Sequence, residues 1–492
     1  MIQRFSGQDN NKFIENLICD NNGNIGDYAF YGCTSITSAE CNNGGEIGQY
    51  AFSGCTSIAK AICNNSGGIG DKAFYGCDNI TDLTLGEEVS SIGNSSFSYC
   101  SSLQAVNIPN SVTSIGQSSF SSCSSLDDIV LGNQIKTIGS FAFSGCSSLP
   151  TIRIPMNVTS ITDNVFNNCT SLRAVLMDDG ETGLSLGSNG SNPLFADCPL
   201  DSVYIGRNIT YSTASDKGYS PFYGNTRLRI VVISDKETEI TPNEFSGCSA
   251  LQTIQLGQEI TSIGEKAFYR CSKLENMVIP NLVTSLGNNA FENCSSMTSV
   301  KIGNGVKTIP TYAFNGCSSL PTIQIPKNVT TIADNVFNYC TSLKTVLMDD
   351  GETGLSLGSN DSKPLFVSCP LDSVYIGRNI TYSTASNKGY SPFYRNTNLR
   401  SITITDKETE VSPNEFYGCT NLKNVRLGDG ITTIGDWAFS GCSSLDFFSF
   451  GSSVESIGKE AFSDCTAMTK LYAMTQVPPT CGDQALDDIN KW

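Results

Sequence analysis

A phenylalanine followed three residues later by cysteine recurs along most of this 492-residue chain. The ladder runs from Phe30 through Phe97, Phe120, Phe143 and Phe166 to Phe462, and its commonest spacing is 23 residues. A fixed period in this range requires units that stack, because one unit of this size cannot bury its own apolar side. The unit is clearest at Ser101–Cys123, SSLQAVNIPNSVTSIGQSSFSSC. Leu103, Val106 and Ile108 have the spacing L-x-x-V-x-I, so Val106 and Ile108 share one strand face. Pro109 and Asn110 break that strand, since proline cannot donate a ladder hydrogen bond. Val112 and Ile115 return to the interior on a second short extended segment, and Gly116 permits a tight corner. Ser119 to Cys123, with apolar residues three apart, predicts one short helical turn on the far side.

These segments carry a resemblance. IPNSVTSIG, the AF-x-x-C-SSL junction and the 23-residue period resemble the BspA-like leucine-rich repeat proteins, over nearly the whole chain. The expected fold is an α/β solenoid with short parallel strands on one face and short helical turns and loops on the other. The resemblance implies a bacterial cell-surface or extracellular protein that is adhesive or protein-binding and not an enzyme.

The whole chain, 1–492, reads as one solenoid. Residues 1–77 are shorter, Asn/Gly-rich N-terminal units. Regular repeats fill 78–465, and 466–492 is an irregular last repeat. The period breaks at 177–223 and again at 348–394, where the same two insertions return at an offset of 171 residues. YIGRNITYSTAS is identical in both copies, so a block of repeats was duplicated whole. The first residues contain no apolar stretch of signal-peptide type. The last repeat has no polar cap, and an open strand edge there suggests a chain that continues or packs on another.

Histidine is absent, which removes the commonest general base and zinc ligand. No phosphate-loop or H-E-x-x-H motif is present. The formal charge is −17 without a Lys/Arg cluster, which argues against nucleic acid and anionic membrane as partners. No run reaches membrane-spanning length. No cofactor or bound metal is expected.

Of the 21 cysteines, seventeen share one repeat position, from Cys33 to Cys465, while Cys19, Cys41 and Cys63 occupy a core strand position. Stacked equivalents have parallel Cβ vectors, so buried free thiols are expected rather than disulfides. Asn225 and Asn396 replace the thiol in two repeats, where they can bond neighbouring backbone.

The middle x of V-x-I is the solvent side of each strand. Two apolar clusters stand out there: Leu176, Tyr204 and Val232, then Leu347, Tyr375 and Thr403. With the insertion tyrosines Tyr211, Tyr219, Tyr382 and Tyr390, they make a candidate binding surface. The alternative is that the inserted loops fold back over them as a local core. The acidic turns at Asp178–Glu181 and Asp349–Glu352 have calcium-ligand chemistry, although a solvated acidic turn is the simpler reading. The expected partner is a protein, such as a host matrix or surface protein, with a glycan as a further class. A structural spacer or assembly subunit is the rival function.

Overall fold

The computed structural model describes residues 14–20, 22–189, 192–211, 220–359, 363–382, 391–487 and 489. The chain forms two compact units, Met1–Thr238 with Gly247–Leu251, and Glu239–Ser246 with Gln252–Trp492. Each is a stack of coils with two ladders of parallel strands.

In the first unit one ladder contains Asn16–Cys19, Ser38–Cys41, Lys60–Cys63 and Asp82–Leu85, paired in that order. Ala105–Asn107 pairs with Asp128–Val130. Thr151–Ile154, Ala174–Met177, Ser202–Ile205 and Ile230–Ile233 follow in register. The second ladder contains Ser114–Ile115, Thr137–Ile138, Ser160–Ile161, Leu184–Leu186 and Ile209–Tyr211. Both extended segments of the repeat therefore exist. The second unit repeats the plan, with Thr322–Ile325, Thr345–Met348, Ser373–Ile376, Ser401–Ile404 and Asn424–Leu427 in one sheet.

Alternation decides what each strand buries. In Thr151–Ile154, Ile152 and Ile154 are buried while Thr151 and Arg153 are exposed. Gly116 is demanded by stacking as much as by its own corner, since a Cβ there would lie 2.6 Å from the Gly93 carbonyl carbon.

The Phe–Cys corner corrects the expected helical turn: among the described residues there is no helix. The reason lies in where alternate N–H groups point. Ser118, Phe120 and Ser122 donate to Ser140, Ala142 and Ser144 of the next coil, at 2.8, 2.9 and 2.7 Å. Ser119, Ser121 and Cys123 donate three residues back, to Gly116, Ser118 and Phe120. A helix would aim every N–H along its own axis. Here Ser118 and Ser122 take φ of 55° and 62°, and those left-handed residues turn every second amide toward the neighbouring coil. The corner is a third inter-coil ladder built from turns.

That corner carries the core. Phe97, Phe120 and Phe143 are fully buried and stack at centroid separations of 5.3 and 5.9 Å. In the second unit Phe268 and Phe291 stack at 5.4 Å with planes 1° apart. Such pairs add about 0.5–1.5 kcal/mol beyond the area they bury. From Cys55 onward each ladder thiol donates to the phenylalanine carbonyl one coil back, as from Cys123 Sγ to Phe97 O at 3.2 Å. Asn225 Nδ2 makes the equivalent bonds, to Phe195 O at 3.5 Å and Cys198 O at 2.9 Å, and Asn396 does the same on Phe366 and Cys369. The cysteines are free and buried, Cys481 excepted. Burial pushes the Cys123 thiol up to about 12, so it is not a thiolate at neutral pH.

Two outcomes follow for solution. Phe120→Ala removes a stacked, fully buried ring and should cost about 3–5 kcal/mol in denaturant unfolding; a loss under about 1 kcal/mol would contradict the ladder's role. Iodoacetamide on the native protein at neutral pH should label Cys481 and spare the ladder. After denaturation without reductant all 21 cysteines should react. Blocked thiols in the denatured, unreduced sample would disprove the free-thiol assignment.

Candidate binding surface

The two apolar clusters are contiguous columns. Arg153, Leu176, Tyr204 and Val232 are register partners on adjacent strands, as are Gln324, Leu347, Tyr375, Thr403 and Arg426. Leu176 is 38% exposed; Tyr204, Val232, Leu347 and Tyr375 are half-buried.

The acidic turn after Met177 lies against this column. Tyr204 donates its hydroxyl to Asp179 Oδ1 at 2.8 Å, and Arg153 Nε donates to Asp178 Oδ1 at 2.7 Å. Lys236 Nζ reaches Glu181 Oε1 at 2.6 Å. The second copy repeats the bracket: Tyr375 to Asp350 at 2.9 Å, Gln324 Nε2 to Asp349 Oδ1 at 2.9 Å, and Lys407 to Glu352 at 2.6 Å. The turn is thus neither a free acidic loop nor a set of carboxylates waiting for a cation. It holds the tyrosine rings against the sheet and leaves part of each in solvent. Partial burial and the facing carboxylate both raise the Tyr204 and Tyr375 phenols above their ordinary value.

Beneath the turn sits a buried arginine that the sequence pattern did not single out. Arg207 is fully buried and donates Nη2 to Pro155 O at 2.9 Å and Nη1 to Met156 O. Arg378 repeats this on Pro326 O at 3.0 Å and Lys327 O at 2.5 Å. Burial lowers both guanidinium pKa values, and Asp178 or Asp349 works against that. Gly180 leaves this approach open, since a Cβ would come within 3.2 Å of both Arg207 Cδ and Met156 O and would require them to shift. The available signal was the invariance of GRNIT between the copies.

Tyr211 ends the strand Ile209–Tyr211 and is half-buried. Tyr382 holds the matching place, and burial together with the Glu415 carboxylate raises its phenol above the usual range, against the opposing hydrogen bonds of Ser412 and Ser391. Both lie on strands of the second ladder, not on the strands that carry the columns. Tyr219 and Tyr390 lie outside the described residues.

On the first unit the column continues into a hollow of about 420 Å³, lined by Asn107, Asn110, Val130, Asn133, Arg153 and Asp178 among others. The duplicated block differs here: Asn107, Val130 and Arg153 correspond to Val278, Lys301 and Gln324, while Leu-Tyr is kept. The copies share a core motif and present different neighbours.

The second unit also buries acid. Glu408 accepts Ile380 N–H at 2.9 Å, and burial pushes its carboxyl up to about 8. Glu415 accepts Ser412 N–H at 2.7 Å and is raised well above normal by burial and by Glu408. Raised folded-state values mean stability that is complete below the unfolded pKa near 4.3 and is lost as pH climbs through the folded one. Glu408→Gln should therefore gain stability over the wild type between about pH 5 and about pH 9. A stability difference constant across that range in urea titrations would refute it.

Among the described residues, no helix is long and apolar enough to cross a membrane. The family model for the BspA type leucine rich repeat region matches residues 5–108, 67–198, 217–344, 261–386 and 386–486. No curated protein matches. Similar solved structures include a leucine-rich repeat protein from Bacteroides ovatus ATCC 8483, 25% identical, covering 86% of this chain and 80% of that one, with a TM-score of 0.27. A leucine-rich cell surface protein from Faecalibacterium prausnitzii A2-165 is 20% identical over 86% of this chain and 89% of that one, TM-score 0.33. The repeat model spans far more than half of the sequence, and on that match the chain belongs to the BspA type leucine-rich repeat family.

Proposed function

We propose that this chain is a non-enzymatic protein of the cell surface or extracellular space that adheres to a host matrix or surface protein. The observation that carries the reading is the duplicated column, Leu176–Tyr204–Val232 and Leu347–Tyr375–Thr403, each fixed by its acidic bracket. A tyrosine held in place loses little freedom on binding and offers both a ring and a polar edge. Such rings are typical anchors of protein interfaces. Two copies on one chain allow bivalent engagement, which raises avidity when both sites reach the partner. The repeat family is one of binding and scaffold modules, which agrees with this reading.

The test is a binding screen against immobilised matrix proteins with wild type and with Tyr204→Ser plus Tyr375→Ser. The double variant should bind at least tenfold more weakly, the equivalent of about 1.4 kcal/mol, with an unchanged circular-dichroism spectrum. Equal binding by the folded variant would move the site elsewhere. No binding to any matrix protein would favour a spacer or assembly role.

A further inference from the structure

The first coils carry a second surface, on the turn corner rather than the strand face. Three of the exposed large side chains of the first unit cluster there: Tyr28, Tyr31 and Tyr99. Tyr50 and Tyr75 complete the group. Tyr28 and Tyr50 stack at 4.8 Å with planes 7° apart, and Lys72 Nζ donates to the Tyr50 hydroxyl at 2.9 Å. Tyr75 and Tyr99 meet edge to face at 5.4 Å. Tyr31 is tilted by 56° to Tyr28 and by 62° to Tyr50, so no parallel ring covers its face, and it is 51% exposed. Tyr99, at the other end, is 52% exposed.

Between them runs a floor. Gly32, Gly54 and Gly76 each follow the ladder phenylalanine by two residues, with φ of 69°, 75° and 70°. Their amides bond the next coil, to Ser53 O, Tyr75 O and Ser98 O at 2.8 to 2.9 Å, so the floor is stiff. A Cβ on Gly32 or Gly76 would meet nothing within 4 Å, and on Gly54 only the Gly32 Cα at 3.9 Å. The space above the floor is open. In the fourth coil Tyr99 takes the glycine position, at φ 64°, and closes the shelf. A bulky residue in that left-handed region is strained, so backbone geometry alone does not favour tyrosine there.

We propose that this shelf binds a neutral linear polysaccharide. Tyr31 and Tyr75 stand two coils apart, about 10 Å at one strand spacing per coil, close to the length of two sugar units in an extended glycan. Tyrosine rings offer apolar faces to sugar C–H groups and hydroxyls to sugar oxygens. The floor is one glycine wide, one from each coil. The strip's six residues fall well short of the roughly 20–30 a side that a stable protein interface engages. A thin chain lying along the floor fits that shape. Charge selects among glycans: Lys72 is the strip's single cation, engaged with Tyr50, on a chain of net charge −17, which repels anionic polymers. The shelf is separate from the strand column, so the inference does not depend on the function proposed above.

Affinity electrophoresis tests it, with hydroxyethyl cellulose, a β-1,3-glucan, galactomannan, polygalacturonate or hyaluronate cast in the gel. Wild type should be retarded by at least one neutral polymer and by neither anionic one. Tyr31→Ala plus Tyr99→Ala removes two exposed rings without touching the core. It should weaken retardation at least tenfold while its melting curve stays that of wild type. Tyr75→Ala alone should give a smaller loss, and Tyr204→Ser plus Tyr375→Ser should change nothing. Retardation by none of the neutral polymers, or retardation that survives in the folded Tyr31/Tyr99 variant, overturns the proposal. So does a variant that loses only binding to a matrix protein, which would make the shelf a protein contact.

Discussion

The structure depends on an alternation of backbone hydrogen bonds at the Phe–Cys corner. One amide closes a local turn, and the next reaches across to the following coil. Nearly every corner repeats the device, using left-handed residues on both sides of the phenylalanine. It settles two problems together. The corner's polar backbone is satisfied without a helix, and successive coils are held at a distance where the phenylalanine rings stack. The thiol one turn later takes the remaining lone pair of a phenylalanine carbonyl in the coil before. Cysteine suits that place because it is small, apolar in bulk and a weak donor. Asparagine can replace it at Asn225 and Asn396 because its amide reaches the same carbonyls.

The insertions are built on the opposite principle. Where the regular repeat buries apolar side chains, the inserted turns bury charge. Arg207 and Arg378 leave water only because two backbone carbonyls replace it. A buried cation with one acceptor removed would be strongly destabilising, which explains why the arginine, the glycine above it and the acidic turn occur together in both copies. The consequence is rigidity on a surface that would otherwise be a loose loop. Tyrosines standing on it are positioned side chains, which favours recognition.

Much of this was readable in the chain. Val106 and Ile108 on one strand, Ile115 on a second, stacked phenylalanines and free thiols all follow from a period that only stacked coils can satisfy. The columns Leu176–Tyr204–Val232 and Leu347–Tyr375–Thr403 could be aligned from spacing, because register in a parallel ladder is fixed by the repeat. The helical turn expected at the corner does not form. Apolar spacing of three is shared by a helical turn and by a turn whose amides leave the coil, and only the direction of those amides separates the two. Tyr382, read either as part of the surface or as covered by its own loop, lies half-buried beside Glu415, because the side of the coil a loop residue faces depends on the path of the loop. The shelf of Tyr31, Tyr75 and Tyr99 gave no sequence signal beyond scattered tyrosines near glycines, since its members come from different coils.

The period and the binary pattern were enough to determine a stacked, parallel-strand repeat. Those are properties of one unit multiplied. Tertiary structure alone decided which polar groups meet. The pairing of Asp179 with Tyr204, the burial of Arg207 on the carbonyls of Pro155 and Met156, and the upward shift of Glu408 and Glu415 all join residues from different coils. Such contacts depend on angstrom-scale distances between side chains far apart in sequence, and a one-dimensional pattern does not encode those distances.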